Sequence, residues 1–118
     1  MTRDEFKART REYALRVIKV VDSLPNDPVA AIIGRQLLRC GASVGANYRA
    51  SIRARSRADF IAKMGIVEEE CDESLYWMEL LIASGRMTSA RLVDLQSEGG
   101  EILAITVASI KTARRGKT

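Results

Sequence analysis

An arginine-rich stretch is the part of the sequence best suited to chemistry. Its members are Arg35, Arg39, Arg49, Arg53, Arg55 and Arg57. Helical spacing places the first four on one stripe, roughly opposite the apolar face of the same segment. The guanidinium is planar and always charged, so this stripe predicts contacts with nucleic-acid phosphates. No base-reading module or aromatic stacking platform accompanies it, and sequence specificity is therefore not indicated. The alternative interpretation is a solvated face that pairs with acidic neighbours.

Acidic residues form the opposite feature, with five carboxylates in the six positions 68–73. Two E-x-x-E pairs, Glu70 with Glu73 and Glu98 with Glu101, could place carboxylates on one side of a helix for Mg²⁺. This spacing resembles that of the all-α nucleotide pyrophosphohydrolases, whose second pair normally ends in Asp. A Mg²⁺-dependent hydrolase is the third-ranked hypothesis, because charged helices produce such pairs by chance.

Polar residues also fall within the apolar stripes. Asn47, near Ser43, lies in the core stripe of the second predicted helix, and Ser74 interrupts that of the third. We expect them to make structural hydrogen bonds that fix helix register. Cys40 and Cys71 both fall in apolar register, which predicts free, buried and inert thiols.

Composition narrows the classes of protein further. The 118 residues are 47% hydrophobic and 29% charged, which is typical of one soluble globular domain. Residues 1–66 hold 13 Lys and Arg against 6 acidic residues, whereas residues 67–118 hold 6 against 9, within a net charge of +4. The sequence contains no histidine, so most acid–base, metal and nucleophilic catalysts are disfavoured. We expect no enzyme activity, no cofactor and no metal site. With no signal-like or membrane-spanning apolar run, we also expect a cytoplasmic location and no membrane contact.

Hydrophobic periodicity predicts four helices in a single domain, with boundaries at prolines, glycines and N-cap residues. Their approximate spans are 3–24, 28–54, 56–85 and 89–113, followed by a basic tail at 114–118. Gly41 and Gly45 should let a neighbouring helix approach closely. Short loops favour antiparallel neighbours, so we expect an all-α, left-handed, up-down-up-down four-helix bundle. The first and third helices carry apolar residues on more than one face, which predicts a closed homo-oligomer.

Four segments are similar to a known family: residues 36–39 (Gln-Leu-Leu-Arg), 42–48 (Ala-Ser-Val-Gly-Ala-Asn-Tyr), 56–60 (Ser-Arg-Ala-Asp-Phe) and 73–77 (Glu-Ser-Leu-Tyr-Trp). They resemble the bacterial four-helix-bundle proteins named for intervening sequences in large-subunit ribosomal RNA genes. The similarity covers about residues 6–113, and its most specific part is Gln-x-x-Arg followed by Ser-Val-x-x-Asn. The chain departs from the commoner pattern at Ala50, where an acidic residue usually stands three positions after the asparagine.

The resemblance implies an up-down bundle assembled into a ring, typically a pentamer. Five chains of 13.0 kDa would give a particle of about 65 kDa. It also implies relatedness to the accessory protein of diversity-generating retroelements, which is basic, binds nucleic acid and partners a reverse transcriptase.

The first hypothesis is therefore a non-enzymatic oligomeric module whose arginines contact nucleic-acid backbone, RNA favoured over DNA. The second is a protein–protein scaffold without nucleic-acid binding, in which the arginines pair with carboxylates of neighbouring subunits, such as Glu69 or Asp72.

Overall fold

Four long helices account for most of the chain in the computed structural model, which describes residues 1–116. They are α1 (Arg3–Asp22), α2 (Pro28–Ser51), α3 (Arg57–Ala83) and α4 (Ser89–Arg114), and the described part contains no strand. The bundle measures 47 × 22 × 21 Å, about the length of its helices. The predicted all-α bundle is confirmed. Of the predicted basic tail, Arg114 ends α4, and residues 117–118 lie outside the described residues.

Each helix begins at a side chain that accepts a hydrogen bond from the exposed backbone N–H groups of the first turn. The caps are Thr2, Asp27, Ser56 and Thr88. At α2 the predicted arrangement is present in full, because the Asp27 carboxylate accepts from Ala30 N at 2.9 Å and Pro28 occupies the first turn.

The first three helices end two or three residues before the predicted positions. After α2 the chain continues in a tight turn, in which Arg53 N donates to Ala50 O at 3.2 Å. Hydrophobic periodicity persists through such a turn, so it overestimates helix length. After α3, Gly85 adopts a positive φ of 77°, and Arg86 N donates back to Leu81 O at 2.9 Å. This is the glycine stop that the sequence predicts at Gly85.

The helices pack in chain order around the core, α1 on α2, α2 on α3 and α3 on α4, with a thinner α1–α4 contact closing the bundle. Gly41 permits a close approach of α1, since a Cβ there would lie 2.9 Å from Val17 Cγ2. Gly45 similarly faces Thr10. The predicted role of these two glycines is therefore confirmed.

One polar contact crosses the core diagonally between α1 and α3. Tyr13 and Ser74 are fully buried, and their hydroxyl oxygens lie 2.8 Å apart. The Ser74 hydroxyl donates to Cys71 O at 2.6 Å, so the shared proton comes from Tyr13. The contact fixes the relative height of two helices that do not otherwise touch through their backbones. None of the described helices is long and apolar enough to cross a membrane.

Candidate nucleic-acid interface

The six arginines of the predicted site occupy different environments. Arg35, Arg49, Arg53, Arg55 and Arg57 are exposed, and none of them takes part in an ion pair with another residue of the described range 1–116. Arg35 lies apart from the others, in the first half of α2. Arg49 lies near the end of α2, Arg53 and Arg55 lie in the turn that follows, and Arg57 is the first residue of α3.

Arg39 binds two carboxylates of the same chain, so it is not a candidate for phosphate contacts. Its Nη1 lies 3.0 Å from Glu70 Oε2, and its Nη2 donates to Glu73. Glu73 also accepts a hydrogen bond from the indole N–H of Trp77 at 3.0 Å. These donors lower the pKa of Glu73, with the Trp77 bond the largest cause. Arg39 therefore joins α2 to α3.

The alternating chain direction gathers basic residues at one end of the bundle. The start of α1, the α2–α3 turn and the end of α4 meet there, as the Phe6 and Tyr48 rings show at 4.7 Å between centroids. Arg57 also lies against the end of α4, because a Cβ on Gly116 would be 3.0 Å from its Nη1. We call residues 1–7, 49–63 and 111–116 the basic end. It holds ten Lys and Arg against three acidic residues, whereas the rest of the described chain holds eight against twelve.

A shallow groove of about 510 Å³ opens on this end. Its lining consists of Ala50, Arg53, Arg55, Asp59 and Lys63. Asp59 is already neutralised locally, since Lys63 Nζ lies 2.8 Å from its Oδ2 and Arg55 N donates to the same oxygen. The Lys63 hydrogen bond is the main cause that lowers the pKa of Asp59. The side chains of Arg53 and Arg55 are therefore exposed to solvent, beside an Asp59 carboxylate that is already paired with Lys63.

Sequence reasoning did not assign Lys63 of α3 or the basic residues at the end of α4 to this surface, although it predicted a basic tail from residue 114. Lys63, Arg114 and Arg115 belong to the basic end but to none of the predicted sites. The available signal was the topology itself: in an up-down bundle the second loop and both chain termini lie at the same end.

Ser43 and Asn47 were predicted as core polar residues, and the structure corrects this. Both are only partly buried, and both hydrogen bond within α2. The Ser43 hydroxyl donates to Arg39 O at 2.7 Å, and Asn47 Nδ2 donates to Ser43 O at 2.8 Å. Local backbone carbonyls satisfy these side chains, so neither bridges two helices.

The two E-x-x-E pairs do not converge on one site. Glu70 and Glu73 bind Arg39, as described above. Glu98 and Glu101 bind Arg9 of α1, whose Nε lies 2.6 Å from Glu98 and whose Nη2 lies 2.8 Å from Glu101. Within residues 1–116 no group of three or more His, Cys, Asp or Glu residues could hold a metal ion. Each pair instead receives a guanidinium from a neighbouring helix.

Fold and surface together define an all-α up-down bundle with a strongly basic end. The chain matches the 23S rRNA-intervening sequence protein family over residues 4–108, and it belongs to that family. A solved structure is similar throughout: a protein of unknown function from the S23 ribosomal protein family of Bacteroides thetaiotaomicron VPI-5482. It is 35% identical, with a TM-score of 0.87, and the similarity covers 95% of this chain and 100% of that one. No curated protein matches the sequence.

Proposed function

We propose that this protein is a non-enzymatic, oligomeric module of the cytoplasm that binds nucleic-acid backbone through its basic end, with RNA as the favoured ligand. The observation that carries the proposal is the ten-to-three excess of basic over acidic residues there, around a groove whose Arg53 and Arg55 side chains have no acidic partner within residues 1–116. The family description names 23S rRNA, which favours RNA over DNA. Free, buried cysteines are in keeping with a reducing compartment.

The basic end should recognise phosphates rather than bases. Its donors are flexible Arg and Lys side chains at the end of a bundle that is 22 × 21 Å across, and no exposed aromatic ring lies among them to stack on a base. An assembly of several chains would present several basic ends to one strand, which raises the apparent affinity without any new contact.

A salt titration of RNA binding tests this function. Filter binding of a single-stranded RNA should give an affinity that falls steeply with salt. The double variant Arg53→Gln/Arg55→Gln should weaken binding on the order of tenfold at low salt and reduce the slope of log K against log salt by about 1.4, at about 0.7 for each lost phosphate contact.

The matched control removes two positive charges from the opposite end of the bundle. Lys19 and Arg91 are both exposed there, and neither forms an ion pair with a residue of the described range. Lys19→Gln/Arg91→Gln has the same net charge as the test variant and should keep most of the salt slope. Undetectable binding at low salt, salt-independent binding, or equal losses in both variants would each contradict the proposal.

A scaffold without nucleic-acid binding is the second candidate function. One observation favours it: Arg39, one of the six predicted arginines, is already paired with carboxylates of the same chain. A reverse transcriptase is the protein partner that the resemblance predicts, and co-purification of the two proteins would test it. A stable oligomer that ignores RNA at every salt concentration would support the scaffold.

A further inference from the structure

Apolar side chains remain exposed along the seam between α1 and α2. Leu15, Ile18 and Leu38 are 37% to 40% exposed, although aliphatic side chains of this size are usually buried. Ile18 and Leu38 lie at the same height, because Val17 and Val21 of α1 face Gly41 and Gly34 of α2, on either side of Leu38.

This seam is basic as well as apolar. Arg11 precedes Leu15 by one helical turn, and Arg35 precedes Leu38 by a similar step. Both arginines are exposed and lack an ion-pair partner within residues 1–116. We call these five residues the α1/α2 face.

A groove of about 310 Å³ lies between α3 and α4, and it is acidic and apolar where the α1/α2 face is basic and apolar. Its lining consists of Glu68, Glu69, Asp72, Leu103 and Val107, and we call it the α3/α4 groove. None of its three carboxylates is paired with a basic side chain of the described residues. It therefore combines an acidic rim with an apolar floor.

Two glycines beside the groove are unexplained by packing within the chain. Gly65 lies in α3 and Gly100 in α4, each three residues before a lining residue, and a Cβ on either would meet nothing within 4 Å. Mid-helix glycine is unfavourable relative to alanine by about 1 kcal/mol. Their presence at an open position agrees with a surface that another chain approaches closely.

From these complementary surfaces we infer that the α1/α2 face of one chain docks in the α3/α4 groove of a second copy. The inference rests on the assembly of several chains proposed above and names the two surfaces that make it. Because the helices pack in chain order, the α1/α2 and α3/α4 seams lie on opposite sides of the bundle. The contact is therefore head-to-tail, which builds a ring when its rotation closes. Both surfaces run along the sides of the bundle and leave the basic end free.

Charge reversal on either surface tests the pairing. In light scattering coupled to gel filtration at micromolar concentration, the wild-type protein should elute as a multiple of 13.0 kDa. Arg11→Glu/Arg35→Glu and Glu69→Arg/Asp72→Arg should each raise the dissociation constant at least about tenfold, as like charges then face each other. The combined fourfold variant restores opposite charges and should regain the wild-type mass.

The control reverses two charges on a third side of the bundle. Glu12 and Asp94 lie one turn from Arg9 and Glu98, on the α1–α4 side, and Glu12→Arg/Asp94→Arg should assemble as the wild type does. Circular dichroism checks that each variant is folded.

The inference would be overturned if either charge-reversed variant kept the wild-type mass, or if the fourfold variant did not regain it. Neither result would contradict the assembly of several chains. A wild-type protein of 13.0 kDa would overturn both. The RNA titration would still decide nucleic-acid binding separately.

Discussion

Gly99 and Gly100 are adjacent in α4, yet replacing each with alanine should have opposite effects on stability. Gly99 is buried, and a Cβ there would lie 2.7 Å from the Tyr13 hydroxyl oxygen and 2.8 Å from Leu75 Cδ2. Gly100 is exposed, and a Cβ there would meet no atom within 4 Å. Both changes bring the same gain in helix propensity, so the difference between them isolates the packing effect.

The magnitudes follow from three contributions. Helix propensity favours alanine by about 1 kcal/mol at either position. Gly99→Ala adds about 1–3 kcal/mol of overpacking. Displacement of Tyr13 would also lose its hydrogen bond to Ser74, worth about 1 kcal/mol. We therefore expect Gly100→Ala to stabilise by about 1 kcal/mol and Gly99→Ala to destabilise by about 1–3 kcal/mol.

Urea unfolding followed by circular dichroism measures both effects. With an m value of about 1–3 kcal/mol/M, the two midpoints should differ by on the order of 1–2 M. The comparison is made in the Arg11→Glu/Arg35→Glu background, so that packing between chains at Gly100 does not contribute. Equal midpoints would show that α4 can accept a methyl group at Gly99 and would refute the reasoning.

Three further predictions use single residues. Arg9 is the main cause that lowers the pKa of Glu98, so this carboxylate stabilises the fold above its unfolded pKa and stops doing so as the pH falls through the lower folded value. The urea midpoint of the wild-type protein should therefore fall between about pH 7 and about pH 3, and it should fall less in the Glu98→Gln variant. Burial raises the pKa of Cys40 and of Cys71 to about 12, so neither thiol should react with Ellman's reagent until denaturant is added. Asp27→Ala removes the cap of α2 and should lower stability by about 1 kcal/mol in urea unfolding, whereas Asp27→Asn should keep most of it.

The helices could be predicted because their start signals are local. An N-cap side chain, a proline in the first turn and a repeating apolar stripe act within a few residues, as Asp27 and Pro28 illustrate. Helix ends were less accurate, since the hydrogen bonds of the final turns merge gradually into the loop, as at Arg53.

The site could be predicted only in part, because helical spacing gives the direction of a side chain but not its partner. Arg39 and Arg35 share a stripe, yet Arg39 reaches Glu70 and Glu73 of α3 while Arg35 finds no acidic partner among the described residues. Long charged side chains contact neighbouring helices whose relative heights are fixed by core packing. Asn47 shows the same limit for a polar residue, since a carbonyl of its own helix satisfies it.

The paired carboxylates now have a structural explanation that also bears on the charge of the surface. Glu98 and Glu101 together bind Arg9 at the α1–α4 contact, the thinnest helix contact in the bundle. A Mg²⁺ ion at either E-x-x-E pair would have to displace a guanidinium that already satisfies both carboxylates. Partly buried carboxylates left without that partner would destabilise the fold. These glutamates therefore join neighbouring helices. Because they also neutralise arginines along the middle of the bundle, the excess positive charge is concentrated at the basic end.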